Sequence, residues 1–410
     1  MQAFILLILI GVYALRLVVE LLNFKYRNRP LAEQVKDIYD DERYQKWLNY
    51  SLDTHRFSVF KSGFNLVVLM LLLVLGGFGW LESVSAPLSG SVLIQNLIFL
   101  GIYMVFTMII SIPFDYYDTF IIEEKYGFNK TTKKTFVLDI IRNVVLLVVL
   151  GGGIVSFLYL PFHLFAGSFV SMVIFTWLGA ILVVFVIIGG LNKLLVRLFN
   201  KLTPLEEGSL RTRIERMAQS VGFNLKNIFI MDASKRSTKL NAFFSGMGKL
   251  KEVVLFDTLV DKMNEDEIVS VLAHELGHAV FKDTFRMFIQ QALVFALYAL
   301  LIGFIFQSDA LATAFGLSGV HFGFGLVLFS ILISPINLLL GIPLSYLSRK
   351  AEYKADDFAQ KLTNPEHMIS ALKVLAREVL VNLNPHPLYV LLYYSHPPMK
   401  ERIQALELKK

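Results

Sequence analysis

The sequence predicts a mainly α-helical integral membrane protein: seven membrane helices, with a folded insertion that carries a small β-meander. Three observations predict it. Hydrophobic residues make up 55% of the 410 and charged residues only 18%, at a mean hydropathy of +0.59. A soluble domain carries about 25% charged residues, so a purely soluble enzyme is excluded, and disorder with it. Seven apolar stretches have the roughly 20 residues needed to cross ~30 Å of hydrocarbon. Basic residues fall in alternate connections between those stretches.

The spans are read as 3–22, 64–81, 93–112, 137–157, 169–191, 287–306 and 324–346. The first lies where a signal peptide would. It lacks a basic start and carries Arg16 and Glu20 in its second half, so it reads as a retained helix. The fourth runs on through Gly151–Gly153 toward Phe162, which implies a bent or overlong helix. Connections 23–63, 113–136 and 192–286 and the tail from 347 hold 37 of the 39 Lys and Arg; connections 82–92, 158–168 and 307–323 hold none. The positive-inside rule then places the N-terminus outside and the C-terminus in the cytosol. The net charge of +6 and pI near 9.2 therefore report topology, and no nucleic-acid partner is expected. Cysteine is absent. That excludes a disulfide framework, thiolate metal ligands and a cysteine nucleophile.

The chain accordingly divides into residues 1–191 (five spans and two cytosolic loops), a cytosolic insertion 192–286, two further spans in 287–346, and a cytosolic segment 347–410. Neither cytosolic piece is long enough for a large core of its own, so the two are expected to pack on each other and on the helix ends. In the insertion, 227–232, 240–245 and 252–257 read as three short strands of an antiparallel meander, the last two separated by Gly246, Gly248 and two lysines. Asn264 with Glu267 three residues on forms a helix-start signature. Ile268, Val271, Leu272 and Val280 then recur at helical spacing.

That helix carries His274-Glu275-Leu276-Gly277-His278. Histidines at i and i+4 project from one face and can meet one ion, with Glu275 beside it as general base. The pattern is short enough to arise by chance, but this copy has a helix start and a partner. Zinc needs a third protein ligand. Glu352 follows the seventh span directly, and Asp356 shares its helix face. Glu352 can reach the ion, and Asp356 can accept the free ring N–H of a ligating histidine. The bland alternative for this stretch is a solvated face of alternating charges. Asp283, five residues after His278, reads either as such a support or as a helix-end acid. His55, His163, His321, His367 and His386 are assigned no role.

HELGHA at 274–279 followed by SRKAEYKAD at 348–356 resembles the type I CAAX prenyl endopeptidases, gluzincin-type zinc metalloproteases embedded in membranes. IEEKYGFNK at 122–130, NAFF at 241–244 and SHPP at 395–398 match further blocks of that family in its order, so the resemblance covers nearly the whole chain. Stress-type membrane metalloproteases share HExxH but have fewer spans and lack the EEKYGFNK block. The resemblance implies one zinc held by His274, His278 and Glu352, with Glu275 as base. It implies that Asn241 binds the backbone of a substrate added as a β-strand, and that His396 stabilises the oxyanion. It also implies that the GFNK loop packs near the catalytic insertion, and that the helices enclose a chamber.

The implied substrate is a protein with a prenylated C-terminal Cys-aliphatic-aliphatic-X sequence. The alternative is general quality control of non-prenylated membrane proteins, the owner being either a bacterial inner membrane or an endoplasmic reticulum membrane. A reading of another class is a transporter or non-catalytic scaffold. Transporters place ionisable residues mid-span; here Arg16, Glu20, Asp139 and Arg142 lie toward span ends.

Overall fold

The structure is a computed structural model describing residues 1–223, 225, 227–245 and 252–408. Among the described residues, seven helices are long and apolar enough to cross a membrane. The first four are α1 (Gln2–Tyr26), α2 (Asp41–Val74), α4 (Val92–Glu123) and α5 (Lys133–Leu164). The short α3 (Gly77–Ser85) lies between α2 and α4. The span expected at 64–81 is in fact broken. Gly76 adopts φ +70°, a conformation open to glycine at little cost, so α2 stops at Val74 and α3 begins afresh. The overlong fourth span is one helix, widened by a π-turn at Leu147–Gly151.

α6 (Phe169–Val186) completes the first group of spans. The chain stays helical as far as Phe199; the sheet of the insertion then starts with β1 (Leu202–Pro204), followed by α7 (Ser209–Ser220), β2 (Asn227–Met231), β3 (Ala242–Ser245) and β4 (Glu252–Phe256). The sheet order is β1-β2-β4-β3, which corrects the expected meander. β3 and β4 pair antiparallel, but β2 pairs with β4 in parallel. The chain from 232 to 241 is not a tight turn. It leaves the sheet to meet the loop after α4, where Asn129 bridges to Ser237 and the Lys130 N–H donates to Arg236 O at 3.0 Å. β3 therefore returns on the far side of β4 as an edge strand. The glycines and lysines expected between β3 and β4 lie outside the described residues.

α8 (Glu265–Val280) follows, then spans α9 (Asp283–Phe306) and α10 (Phe322–Leu362). The tail forms α11 (Pro365–Glu378), α12 (Pro387–Tyr393) and α13 (Met399–Glu407). One hydrophobic core joins insertion and tail: Leu255, Leu259, Ile268, Leu272 and Leu276 pack with Leu372, Ile403 and Leu406, with Trp47 of α2 and with Phe128 of the loop after α4. A fully buried Leu or Ile contributes roughly 1.5–3 kcal/mol, so this shared core fixes the two pieces against each other. The GFNK loop is docked on the insertion by Lys239 to Glu123 at 3.2 Å and by the Thr238 N–H donating to Phe128 O at 3.2 Å.

Candidate active site

α8 begins with a complete capping box, in which Asn264 and Glu267 each satisfy the other's backbone N–H at 3.0 Å. Its buried face then sets His274 and His278 one turn apart with ring centroids 4.8 Å from each other. α10 crosses this turn closely. A Cβ on Gly277 would lie 3.2 Å from the Ala355 Cα, so the glycine inside the HExxH turn is what admits the facing helix.

That approach brings Glu352 under both imidazoles. Its Oε2 is 3.3 Å from His274 Nε2 and its Oε1 is 3.3 Å from His278 Nε2, while the two Nε2 atoms are 3.2 Å apart. One ligand atom from each of the three residues fits within 4.8 Å of the others. The outer ring nitrogens are engaged: His274 Nδ1 lies 2.8 Å from Asp356 Oδ1, and His278 Nδ1 lies 2.8 Å from Asp283 Oδ2. With Nδ1–H donating outward, each Nε2 keeps its lone pair for the centre.

These residues fit a divalent metal. Glu352 Oε2 is buried without a hydrogen-bond partner, and two imidazoles with one carboxylate are the donor set of a three-ligand catalytic site. Burial alone would lower the His278 pKa, but the Glu352 and Asp283 carboxylates outweigh it and lift it to about 9. The donor set thus favours a positive charge at its centre. Burial pushes the Glu275 carboxyl up, the direction that strengthens a carboxylate as a base.

His396 stands at the open side of the centre. Its Nε2 is 3.3 Å from Glu352 Oε1, its Nδ1 is 3.0 Å from Ser395 Oγ, and the side chain is 64% exposed. It lines, with His274, Glu275, His278 and Glu352, a cavity of about 650 Å³ that extends along Met287 and Gln290 of α9 and Leu344 of α10. Asn241 does not line that cavity. It sits exposed just before edge strand β3, its backbone oxygen accepting from the Phe256 N–H at 3.1 Å.

Two supports were not assigned from sequence. Asp283, left open there, opens α9 and holds His278. Arg402, on α13, is buried and donates to Asp356 at 2.6 and 2.8 Å, with Nη2 3.4 Å from His274 Nδ1. Its one sequence signal is electrostatic: Glu275, Glu352 and Asp356 gathered in a buried site demand a counter-charge.

Comparison with known proteins agrees with this geometry. Residues 20–201 match the family described as CAAX prenyl protease N-terminal, five membrane helices, and residues 204–410 match Peptidase family M48. The chain is 35% identical to the probable CAAX prenyl protease 1 of Schizosaccharomyces pombe, over 97% of this chain and 86% of that one. The chain belongs to peptidase family M48. It is 34% identical to the CAAX prenyl protease 1 homolog of Oryza sativa subsp. japonica, over 92% of this chain and 90% of that one. The crystal structure of S. mikatae Ste24p superposes with a TM-score of 0.94 at 30% identity, covering 99% of each chain. This M48 peptidase is therefore a multi-pass, membrane-embedded metalloendopeptidase acting on peptide or protein substrates.

Proposed function

We propose that the chain is a zinc endopeptidase that cuts prenylated proteins near their C-terminal Cys-aliphatic-aliphatic-X sequence, on the cytosolic side of its membrane. The observation that carries the chemistry is the His274–His278–Glu352 cluster in the wall of a cavity. The substrate class rests on relatives named as CAAX prenyl proteases. The cytosolic assignment rests on the alternation of basic connections.

His274, His278 and Glu352 would hold the zinc, whose charge would polarise the scissile carbonyl and the attacking water. Glu275 takes the water's proton as the new C–O bond forms, then delivers it to the departing amine. His396 donates to the oxygen on which negative charge develops. Asp356 and Asp283 fix both imidazole tautomers, and Arg402 fixes Asp356. Substrate backbone adds to the free edge of β3, guided by Asn241.

The test is elemental analysis of detergent-purified protein, together with cleavage of a farnesylated Cys-aliphatic-aliphatic-X peptide and its unprenylated twin. One zinc per chain and cleavage after the farnesyl-cysteine, much faster than in the twin, are expected. Equal rates on both peptides would favour general membrane-protein quality control. Full activity after exhaustive chelation, with no metal detected, would overturn the mechanism.

A further inference from the structure

A second cavity of about 330 Å³ lies between α1, α2 and the segment around α12, separate from the metal centre. Arg27 is its notable wall. The Nε of Arg27 is buried without a hydrogen-bond partner. Its guanidinium sits 3.6 Å above the Phe24 ring and makes one long contact, 3.4 Å to Ser51 Oγ. Among the described residues no carboxylate pairs with it, and burial lowers its pKa. Of its donors Nε is the one shut off from water without a partner, and a partly buried positive charge with no carboxylate beside it favours an anion in the adjoining space.

The remaining lining is rich in donors. The Asn23 carboxamide oxygen accepts from the His386 N–H at 2.9 Å and the Asn382 oxygen from the Asn384 N–H at 3.0 Å, which leaves both NH₂ groups as donors. The Tyr389 and Tyr394 phenols and Ser51 also border the space. Glu20 is the one acid on the wall, seven residues back along α1, or ~10 Å deeper at 1.5 Å per residue. The level in the membrane is set by α1 itself. Leu21 and Leu22 are exposed apolar residues. Lys25, Tyr26, Arg27 and Arg29 follow directly, the pattern of a headgroup interface.

We propose that this cavity is a binding site for the phosphate of an anionic phospholipid with a hydroxylated headgroup. Arg27 supplies the planar two-donor fork that matches phosphate, and Asn23, Asn382 and Ser51 engage the headgroup hydroxyls. The acyl chains run along the exposed face of α1.

The test uses the full chain in detergent, stripped of lipid. Short-chain phosphatidylglycerol, phosphatidylcholine and inorganic phosphate are added separately, reading melting temperature and lipid retention by native mass spectrometry. Phosphatidylglycerol should raise the melting temperature and be retained, whereas phosphatidylcholine and inorganic phosphate should not. Arg27→Gln should weaken retention roughly ten- to hundredfold, the loss of charged hydrogen bonds, while Lys25→Ala on the exposed face leaves it intact. Equal retention by Arg27→Gln would overturn the site. So would an equal wild-type response to phosphatidylcholine, or to inorganic phosphate, and neither of those depends on how the variant folds.

Discussion

At the scale of single residues, the proposed mechanism separates groups that would hold the ion from one that would handle protons. Glu275 neighbours both ligands and is none of them, so Glu275→Gln should keep its metal while turnover falls by at least the ~10²–10⁴ of general base catalysis. Glu352→Ala removes the carboxylate that both Nε2 atoms face and should lose metal and activity together. Metal content and kcat, measured side by side, tell the two apart; near-normal turnover in the Gln variant would remove Glu275 as the base. His396 predicts a third pattern. As an oxyanion donor it acts only once charge develops, so His396→Ala should retain metal and melting temperature and lose ~10²–10³ in kcat. Reduced metal occupancy would instead make it a ligand, and an unchanged kcat would take it out of the chemistry.

At the scale of elements, the site is the contact of two helices, α8 and α10, and Gly277 sets their separation. By intrinsic propensity, Gly277→Ala would stabilise α8 by about 1 kcal/mol. A methyl 3.2 Å from the Ala355 Cα opposes this, since overpacking costs about 1–3 kcal/mol. The variant should melt lower and bind metal more weakly, checked by thermal unfolding and metal titration; a higher melting temperature would show that the helices can move apart freely. Local elements of this kind were legible in the sequence. The cap at Asn264, the HExxH face and the i,i+4 pair Glu352/Asp356 all follow from short-range periodicity. The order of strands was not, because hydrophobic alternation cannot say which strand lies beside which, and the excursion from 232 to 241 is decided by its contacts with the GFNK loop. Arg402 escaped for a related reason: on an amphipathic tail helix an arginine reads as solvated until the acids it serves are brought to it from 46 residues away. The break after α2 was written plainly in Gly76-Gly77, but the apolar run across it masked the signal.

At the scale of the whole molecule, charge placement argues against a transport path. Asp139, inside the fourth span, pairs with Arg236 of the insertion at 3.1 Å, so that acid belongs to the seam between membrane and catalytic parts. Orientation is open to a clean test because the chain has no cysteine. A single cysteine at exposed Ser318, between α9 and α10, should react with an impermeant reagent applied from outside intact cells, and one at exposed Ser220 on α7 should not. The reverse labelling would invert the proposed topology.

α10 runs 41 residues without interruption from Phe322 to Leu362, roughly 60 Å at 1.5 Å per residue. The seventh apolar stretch ends at Tyr346, and Glu352 rides the same rod six residues further on, about 9 Å. The proposed metal ligand is thus carried by a helix whose other end packs among the membrane spans, where Phe324 and Leu328 are buried against Phe78 and Phe99. A bilayer too thick or too thin for the apolar stretch is met by tilting the helix, and tilt swings Glu352 relative to the histidines that α8 holds on the shared core. Bilayer thickness becomes a tuning parameter of the catalytic centre. In vesicles of phosphatidylcholines with monounsaturated chains of 14 to 22 carbons, kcat should pass through a maximum and fall at both extremes. A flat profile would mean that the contact between α8 and α10 is stiff enough to isolate the ion from the membrane that carries it.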